Sequence, residues 1–168
     1  MGYKGDSLGT WVTVTKKPTH DVAVDITDDV GERMTGLARR NAPVDSGDLR
    51  ESLDKIPVHR VRIGGFPGFA SGVHTFLDYA PSVEHGSGLW GPRHAKYLIK
   101  PRDPNGVLSW LDKATGERRF AKYIWHPGQP PQKYVARAVA QCEAEFPAIG
   151  RKRLASYKRI VEAEWRAL

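Results

Sequence analysis

Cysteine is almost absent from this chain of 168 residues, which contains Cys142 alone. A single cysteine cannot form a disulfide within the chain, and no CxxC pair indicates a zinc site. Cys142 falls on the apolar side of a predicted helix, so we expect a buried thiol with no chemical role.

Long apolar runs are also missing. No stretch approaches the roughly 18 apolar residues that a membrane-spanning helix requires, so no membrane span or membrane partner is expected. Residues 1–7 lack the apolar core of a signal peptide, and secretion by that route is not expected.

The motifs of common active sites do not occur in the sequence. There is no GxSxG nucleophile elbow, no Walker loop and no GxGxxG after a strand. The glycine-rich residues 64–69 are followed by neither a helix nor a lysine, so phosphate binding by this loop is not expected. The sequence therefore predicts no catalytic residue, no enzymatic activity and no cofactor.

Two sets of polar residues could still carry chemistry. Four histidines could bind a metal together with Glu84, but no pair has the i, i+4 spacing of a helical site, so we expect none: His74, His85, His94 and His126. Four acidic residues could be catalytic carboxylates, but their positions fit a helix cap and a solvated helix face better: Asp45, Asp48, Glu51 and Asp54.

The charge balance is moderately basic. Lysine and arginine number 26 against 19 aspartates and glutamates, a formal net charge of +7. Such a surplus is compatible with nucleic acid, a membrane surface or an acidic protein, and it selects none of them. Basic and aromatic residues alternate from 118 to 125; they could stack on bases, or form a strand with one core face and one solvated face.

The N-terminal part predicts mainly helix. Residues 1–9 are expected to be loose and residues 11–15 to form a strand of β-branched side chains. An amphipathic helix is predicted from His20 to Asn41, and Pro43 ends it. A short second helix should follow, capped by Asp45 or Ser46, with leucines 49 and 53 on its buried side.

The middle of the chain predicts strands, and the end predicts helices. Strands are expected over 58–63, 73–79 and 94–100, and a hairpin over 107–125. No connection can hold a crossover helix, so the sheet should be mainly antiparallel, with four or five strands. Two helices should close the chain on either side of Pro147. This is an α+β fold with helices on one face, in a single domain over 1–168 whose residues 148–168 form a helical extension.

Three motifs rich in proline and glycine stand out: a first motif at 42–53 (APVDSGDLRESL), a second at 79–88 (YAPSVEHGSG) and a third at 125–138 (WHPGQPPQKYVARA). In the second motif, Pro81 fits the first position of a one-turn helix, and Gly86 and Gly88 can take positive φ. We expect the following residues to set turns in the three motifs: Pro43, Gly47, Pro81, Gly86, Gly88, Pro127 and Gly128.

In order and spacing, the three motifs resemble the signatures of a tailed-phage tail-component family, which comprises neck or tail-completion proteins of long-tailed double-stranded DNA phages. Its signatures read A-P-V-D-T-G-x-L-R-x-S-I, Y-A-x-x-V-E-x-G-T-G and H-P-G-x-x-P-x-P-F-L-x-x-A. The resemblance covers about residues 20–145. Ser46 and Ser87 stand where the family has threonine, and Tyr134 stands where it has phenylalanine.

The resemblance implies a virion protein of the head–tail junction that is assembled in the host cytoplasm and acts without catalysis. It would form a homo-oligomeric ring, expected to contain six copies, between a head-closure or connector protein and a tail terminator or tail-tube protein. DNA would pass through the ring without sequence-specific contact. Six residues near the turns are the candidates for contacts between subunits or rings: Asp45, Asp48, Arg50, Glu84, His85 and His126.

Two alternatives remain open at this point. One is a tail terminator or minor tail protein that caps the tail tube, which differs in position rather than in chemistry. The other is a nucleic-acid-binding protein, suggested only by the net charge and by a basic last helix. In a neck protein, we expect the basic side chains of that helix to point away from the channel: Arg151, Lys152, Arg153, Lys158 and Arg159.

Overall fold

The computed structural model describes residues 6–166. Its elements, in chain order, are α1 (Asp6–Asn41), α2 (Asp48–Ser52), β1 (Asp54–Ile63), β2 (Phe66–His74), α3 (Ala80–His85), a 3-10 turn (Gly88–Trp90), β3 (Tyr97–Ile99), β4 (Leu108–Leu111), β5 (Arg118–Ala121), β6 (Ile124–His126) and α4 (Tyr134–Arg166).

The predicted α+β class is confirmed, with a long N-terminal helix, a C-terminal helix and antiparallel strands. The strands do not form one sheet of four or five, however. Within residues 6–166 they make three two-stranded sheets, in which β1 pairs with β2, β3 with β6 and β4 with β5. Because β3 pairs with a strand from the third motif, the hairpin of β4 and β5 is an insertion between the two partners.

The chain contacts group into two compact units. Unit 1 comprises residues 1–76 and 134–168, and unit 2 comprises residues 77–133. Unit 2 is thus inserted into unit 1 in sequence. The single domain over 1–168 stays a prediction.

Helix α1 begins earlier than predicted. The strand predicted for 11–15 is wrong because these residues belong to α1, which starts at Asp6. Of the loose segment predicted for 1–9, residues 1–5 lie outside the described residues and 6–9 are helical. The β-branched residues lower helix propensity by only about 0.5 kcal/mol each, which an established helix can absorb as it propagates. The predicted end at Asn41 is confirmed.

Unit 1 is built around α1, which packs against the β1–β2 pair and against α4. The approach to β2 is close at Gly31, where an added Cβ would lie 2.0 Å from the Ser71 hydroxyl oxygen. A glycine that weakens the helix by about 1 kcal/mol is therefore needed for its packing on the sheet. The buried apolar residues of this unit come from both long helices and the first motif: Val22, Leu37, Ala38, Ala42, Leu49, Leu53, Tyr134, Ala138 and Cys142.

Helix α4 runs through Pro147 without a break, so the two predicted C-terminal helices are one. Proline in a helix interior costs about 3 kcal/mol, because it removes one hydrogen bond and crowds the preceding turn. Ion pairs to α1 hold the helix on both sides of this position. Glu145 pairs with Arg33, and Arg153 pairs with Asp29 through two hydrogen bonds of 2.5 and 2.6 Å. These contacts between distant residues oppose the local preference of the proline.

Unit 2 contains the remaining four strands. The predicted hairpin is confirmed as β4 and β5, which turn at 112–117, but residues 124–125 at the end of its predicted second strand belong to β6. The strand predicted over 73–79 is largely wrong, since β2 ends at His74, and the strand begins instead at Phe66 within a predicted break. The strand predicted over 94–100 is reduced to β3.

Candidate assembly site

The second and third motifs meet in unit 2 and are joined by backbone hydrogen bonds. The Ser87 N–H donates to the Gln129 carbonyl at 3.0 Å, and the Leu89 N–H donates to the Pro127 carbonyl at 2.8 Å. The Ser87 hydroxyl oxygen also accepts the Gln129 N–H at 3.2 Å. Two loops separated by forty residues therefore form a short ladder, which we call the interlocked turns.

Two glycines allow the backbones to cross there. Gly88 has φ +62°, and a Cβ on it would lie 2.2 Å from the Pro127 carbonyl oxygen. Gly128 has φ +89°, and a Cβ on it would lie 2.0 Å from the Ser87 carbonyl oxygen. Positive φ favours glycine, and so does the lack of space, so no other residue fits either position without backbone movement.

Helix α3 leads into the interlocked turns as predicted. Pro81 lies in its first turn, and Gly86 ends it at φ +81°. The carbonyl of Glu84 accepts the Lys133 N–H at 3.2 Å, which extends the ladder beyond the turns. The Glu84 side chain is only 8% exposed, whereas His85 is exposed. Of the six interface candidates, Glu84 is therefore the one least able to reach a partner.

His126 has a clear structural role. Its Nδ1 accepts the Gly128 N–H at 3.0 Å, and its ring lies 5.3 Å from the ring of Tyr97 in the paired strand. An accepting Nδ1 requires the tautomer with the proton on Nε2. His126 therefore helps to hold the third motif in its turn, and any contact with another subunit would use the remaining edge of the ring.

The first motif lies in unit 1 and forms a turn of its own. Gly47 occupies the N-cap position of α2 at φ +100°, so neither Asp45 nor Ser46 is the N-cap residue, although the Ser46 hydroxyl oxygen accepts the N–H of Asp48, the first residue of α2, at 3.4 Å. Ser46 also donates its hydroxyl to the Asp48 carboxylate at 2.8 Å. This local bond between two side chains holds Ser46 beside the start of α2.

The surface residues of the first motif are available for contacts. Asp45, Asp48 and Pro43 are exposed. Arg50 is exposed as well, and it donates to the carbonyl of Ala42 at 3.4 Å, so it links α2 to the end of α1. The interface roles of Asp45, Asp48 and Arg50 stay predictions.

Large apolar side chains are exposed throughout unit 2. No residue from 92 to 133 is buried, although this segment contains four strands. Trp125 is 58% exposed and Phe120 62% exposed. The large exposed apolar residues between 89 and 125 are Leu89, Trp90, Tyr97, Leu98, Val107, Trp110, Leu111, Phe120, Tyr123 and Trp125. We call these residues the apolar surface of unit 2.

The shifted pKa values lie elsewhere, in unit 1. Hydrogen bonding to Arg153 lowers the pKa of Asp29, and hydrogen bonding to Arg33 lowers the pKa of Glu145. Burial raises the pKa of the Cys142 thiol, as expected for a structural cysteine. Arg153 is therefore occupied by its own chain, while the other four basic residues expected to point away from the channel are exposed: Arg151, Lys152, Lys158 and Arg159.

No group of three or more potential ligands could hold a metal ion among residues 6–166. Within the same part of the chain, no helix is both long and apolar enough to cross a membrane. Comparison of the chain with models of protein families, with curated proteins and with solved structures finds no match in any of the three.

Sequence reasoning identified the turn residues but not their pairing. The Ser87 hydroxyl and Gln129 were missed, because their contact joins distant segments and neither residue type indicates it. The apolar surface of unit 2 was also missed, because alternating strand residues usually indicate a buried face. A better signal was the shortness of these strands combined with their four aromatic residues.

Proposed function

We propose that this protein is a structural component of a phage virion that joins head and tail as a neck or tail-completion ring. The observation that carries the proposal is the apolar surface of unit 2. The order and spacing of the three motifs give the particular place in the virion. The protein would act through assembly and carry out no catalytic step.

The strands of unit 2 pair two by two. A two-stranded sheet in water is marginally stable unless one face is covered. In β4 and β5 only Leu108 and Ala121 are even partly shielded, and the other residues of both strands are exposed. Large exposed apolar areas in otherwise folded proteins mark interaction sites. The β4–β5 hairpin therefore supports contact with another chain.

A second copy of the chain is the proposed partner. In a ring, one patch on each subunit contacts a different patch on the next subunit. The ring closes when the rotations that relate successive subunits add up to a full turn. Of the two adjacent arginines of the hairpin, Arg119 pairs with Asp112 at 2.8 Å, and the first motif exposes acidic residues that a neighbouring copy could present to Arg118. A tail terminator would use the same kind of ring at the end of the tail tube.

Assembly can be tested with the purified full-length protein. Light scattering after size-exclusion chromatography should give the mass of a closed oligomer, expected to be six copies, and electron microscopy should show rings with an open centre. A monomer at every concentration up to the millimolar range, with and without heads and tails of the phage, would contradict the proposal.

A matched pair of variants locates the interface. Phe120→Ser removes an aromatic ring that is 62% exposed in the hairpin, and Phe146→Ser removes one that is 51% exposed on α4. We expect the first variant to dissociate the ring and the second to leave it intact. The reverse result would move the interface from unit 2 to α4.

A further inference from the structure

A basic cleft lies in unit 1 at the turn end of the β1–β2 pair, beside α1. Its volume is about 670 Å³, and its wall includes His20, Arg60 and Arg62. The floor is apolar, with Pro67 and Phe69 among its residues. Neither the three motifs nor the apolar surface of unit 2 includes any of these five residues.

The strand register explains why the charges gather at one place. Arg60 pairs with Phe69 and Arg62 with Pro67 across the antiparallel sheet. Residues that are directly opposite, and residues two apart on one strand, share a face of the sheet. Two guanidinium groups thus project from the same face as the apolar side chains opposite them.

His20 positions one of the arginines. Its ring packs edge-on against Phe69, with centroids 5.0 Å apart. Its Nδ1 lies 3.3 Å from a carboxylate oxygen of Asp21, and its Nε2 lies 3.4 Å from Nη2 of Arg60. When Nδ1 donates to the carboxylate, Nε2 is an acceptor and can orient the guanidinium.

The two arginines differ from the three cations that link elements of unit 1 through ion pairs. Arg33, Lys55 and Arg153 each form ion pairs with carboxylates of the chain. Among the described residues, Arg60 and Arg62 have no carboxylate within ion-pair distance. Adjacent like charges repel each other, and an anion that binds both removes this repulsion.

We infer that this cleft binds a phosphate group carried by a unit with an apolar or ring-shaped part, such as a nucleotide. The planar guanidinium groups suit phosphate oxygens, and Phe69 and Pro67 suit the sugar or base. The phosphate could come from a free nucleotide or from the backbone of DNA. Neither source requires sequence readout, because backbone contacts carry no sequence information.

The test uses the full-length protein with two probes. A fluorescein-labelled 12-base-pair DNA duplex is followed by anisotropy, and thymidine monophosphate by calorimetry. The variant Arg60→Gln/Arg62→Gln is compared with Arg151→Gln/Arg159→Gln, which removes the same charge from exposed positions on α4. We expect the cleft variant to weaken binding at least about tenfold and the α4 variant less than about twofold.

The dependence on salt provides a second readout. The slope of log K against log salt should become shallower by about 1 in the cleft variant, for one lost phosphate contact, and stay unchanged in the α4 variant. The variant Arg60→Lys/Arg62→Lys keeps both positive charges but lacks the paired N–H donors of the guanidinium groups. It should therefore recover the salt slope but only part of the affinity. Circular dichroism checks that each variant is folded.

Each outcome decides the inference. Binding of both probes identifies a nucleotide site, and binding of the duplex alone identifies a site for the DNA backbone; both support the cleft. Absence of binding to either probe overturns it. Equal losses in the cleft and α4 variants overturn it as well, since the binding would then follow net charge. Ring formation is measured separately, so failure here leaves the assembly proposal unaffected.

Discussion

Gly128→Ala should be among the most destabilising single-methyl changes in this protein. The position combines φ +89° with a Ser87 carbonyl oxygen only 2.0 Å from where the new Cβ would lie. The neighbouring atoms belong to the backbone, so they cannot move aside as a flexible side chain would. The two loops of the interlocked turns must separate to make room.

The expected cost follows from these two effects. A left-handed conformation costs a residue with a Cβ about 1–2 kcal/mol. Separating the loops also breaks the hydrogen bonds from Ser87 to Gln129 and from Leu89 to Pro127, which contribute about 1 kcal/mol each. The free energy of unfolding should therefore fall by about 3–4 kcal/mol.

Gly116→Ala is the matched control. Gly116 also lies in unit 2 and has φ +71°, but no atom lies within 4 Å of its added Cβ. It should show the conformational cost alone, about 1 kcal/mol. The difference between the two variants measures the close approach of the loops.

Urea unfolding at low protein concentration, followed by tryptophan fluorescence, provides the measurement. Three of the five tryptophans lie in unit 2, namely those at 90, 110 and 125, so the signal reports mainly on that unit. Low concentration keeps self-association from adding to the apparent stability. Equal losses in the two variants would refute the reasoning, because the crossing of the loops would then contribute nothing.

Four further changes test other parts of the structure by urea unfolding, followed by tryptophan fluorescence in unit 2 and by far-UV circular dichroism for the helices of unit 1. Ser87→Ala removes an acceptor in the interlocked turns and should cost about 1 kcal/mol; no change would show that water replaces it. Gly86→Val places a branched side chain at φ +81° and should cost at least about 1–2 kcal/mol. Pro147→Ala should stabilise the protein by about 1–3 kcal/mol, since it restores a helix hydrogen bond; a loss would mean that the proline is needed. Because Arg153 lowers the pKa of Asp29, that carboxylate stabilises the fold at neutral pH and loses this effect as the pH falls through its folded pKa. Asp29→Asn should therefore lower the free energy of unfolding at pH 7 and make it fall less steeply as the pH is lowered. An unchanged dependence on pH would contradict the role of the Asp29–Arg153 pair.

The sequence was informative wherever the cause of a structure lies within a few residues. Pro81 at the start of α3 and the positive φ of Gly86 and Gly88 follow from the preferences of single residues. The hairpin turn at 112–117 follows from its composition in the same way. These predictions needed no knowledge of what the segments pack against.

The failures have the opposite cause. Nothing near Pro147 indicates that residues of α1 hold the helix on both sides of it. Nothing in the second motif indicates that its glycines face the third motif. The strand predicted for 11–15 came from intrinsic preferences, which are weak compared with the continuation of a helix already packed from His20 onward. Long-range contacts therefore set the features that sequence patterns missed.

The basic and aromatic residues of the β4–β5 hairpin are divided between its two faces. A stacking surface for bases needs several aromatic rings on one face beside positive charge. The register of β4 and β5 places Trp110 opposite Arg119 on one face, and Phe120 opposite Ser109 on the other. Each face of the hairpin therefore has one aromatic ring and one arginine, since Arg118 shares the face of Phe120. Two successive bases could not stack on either face, whereas a protein surface with an apolar centre and acidic residues around it could cover either one. The geometry of the hairpin thus supports the proposal of a protein partner for this part of unit 2.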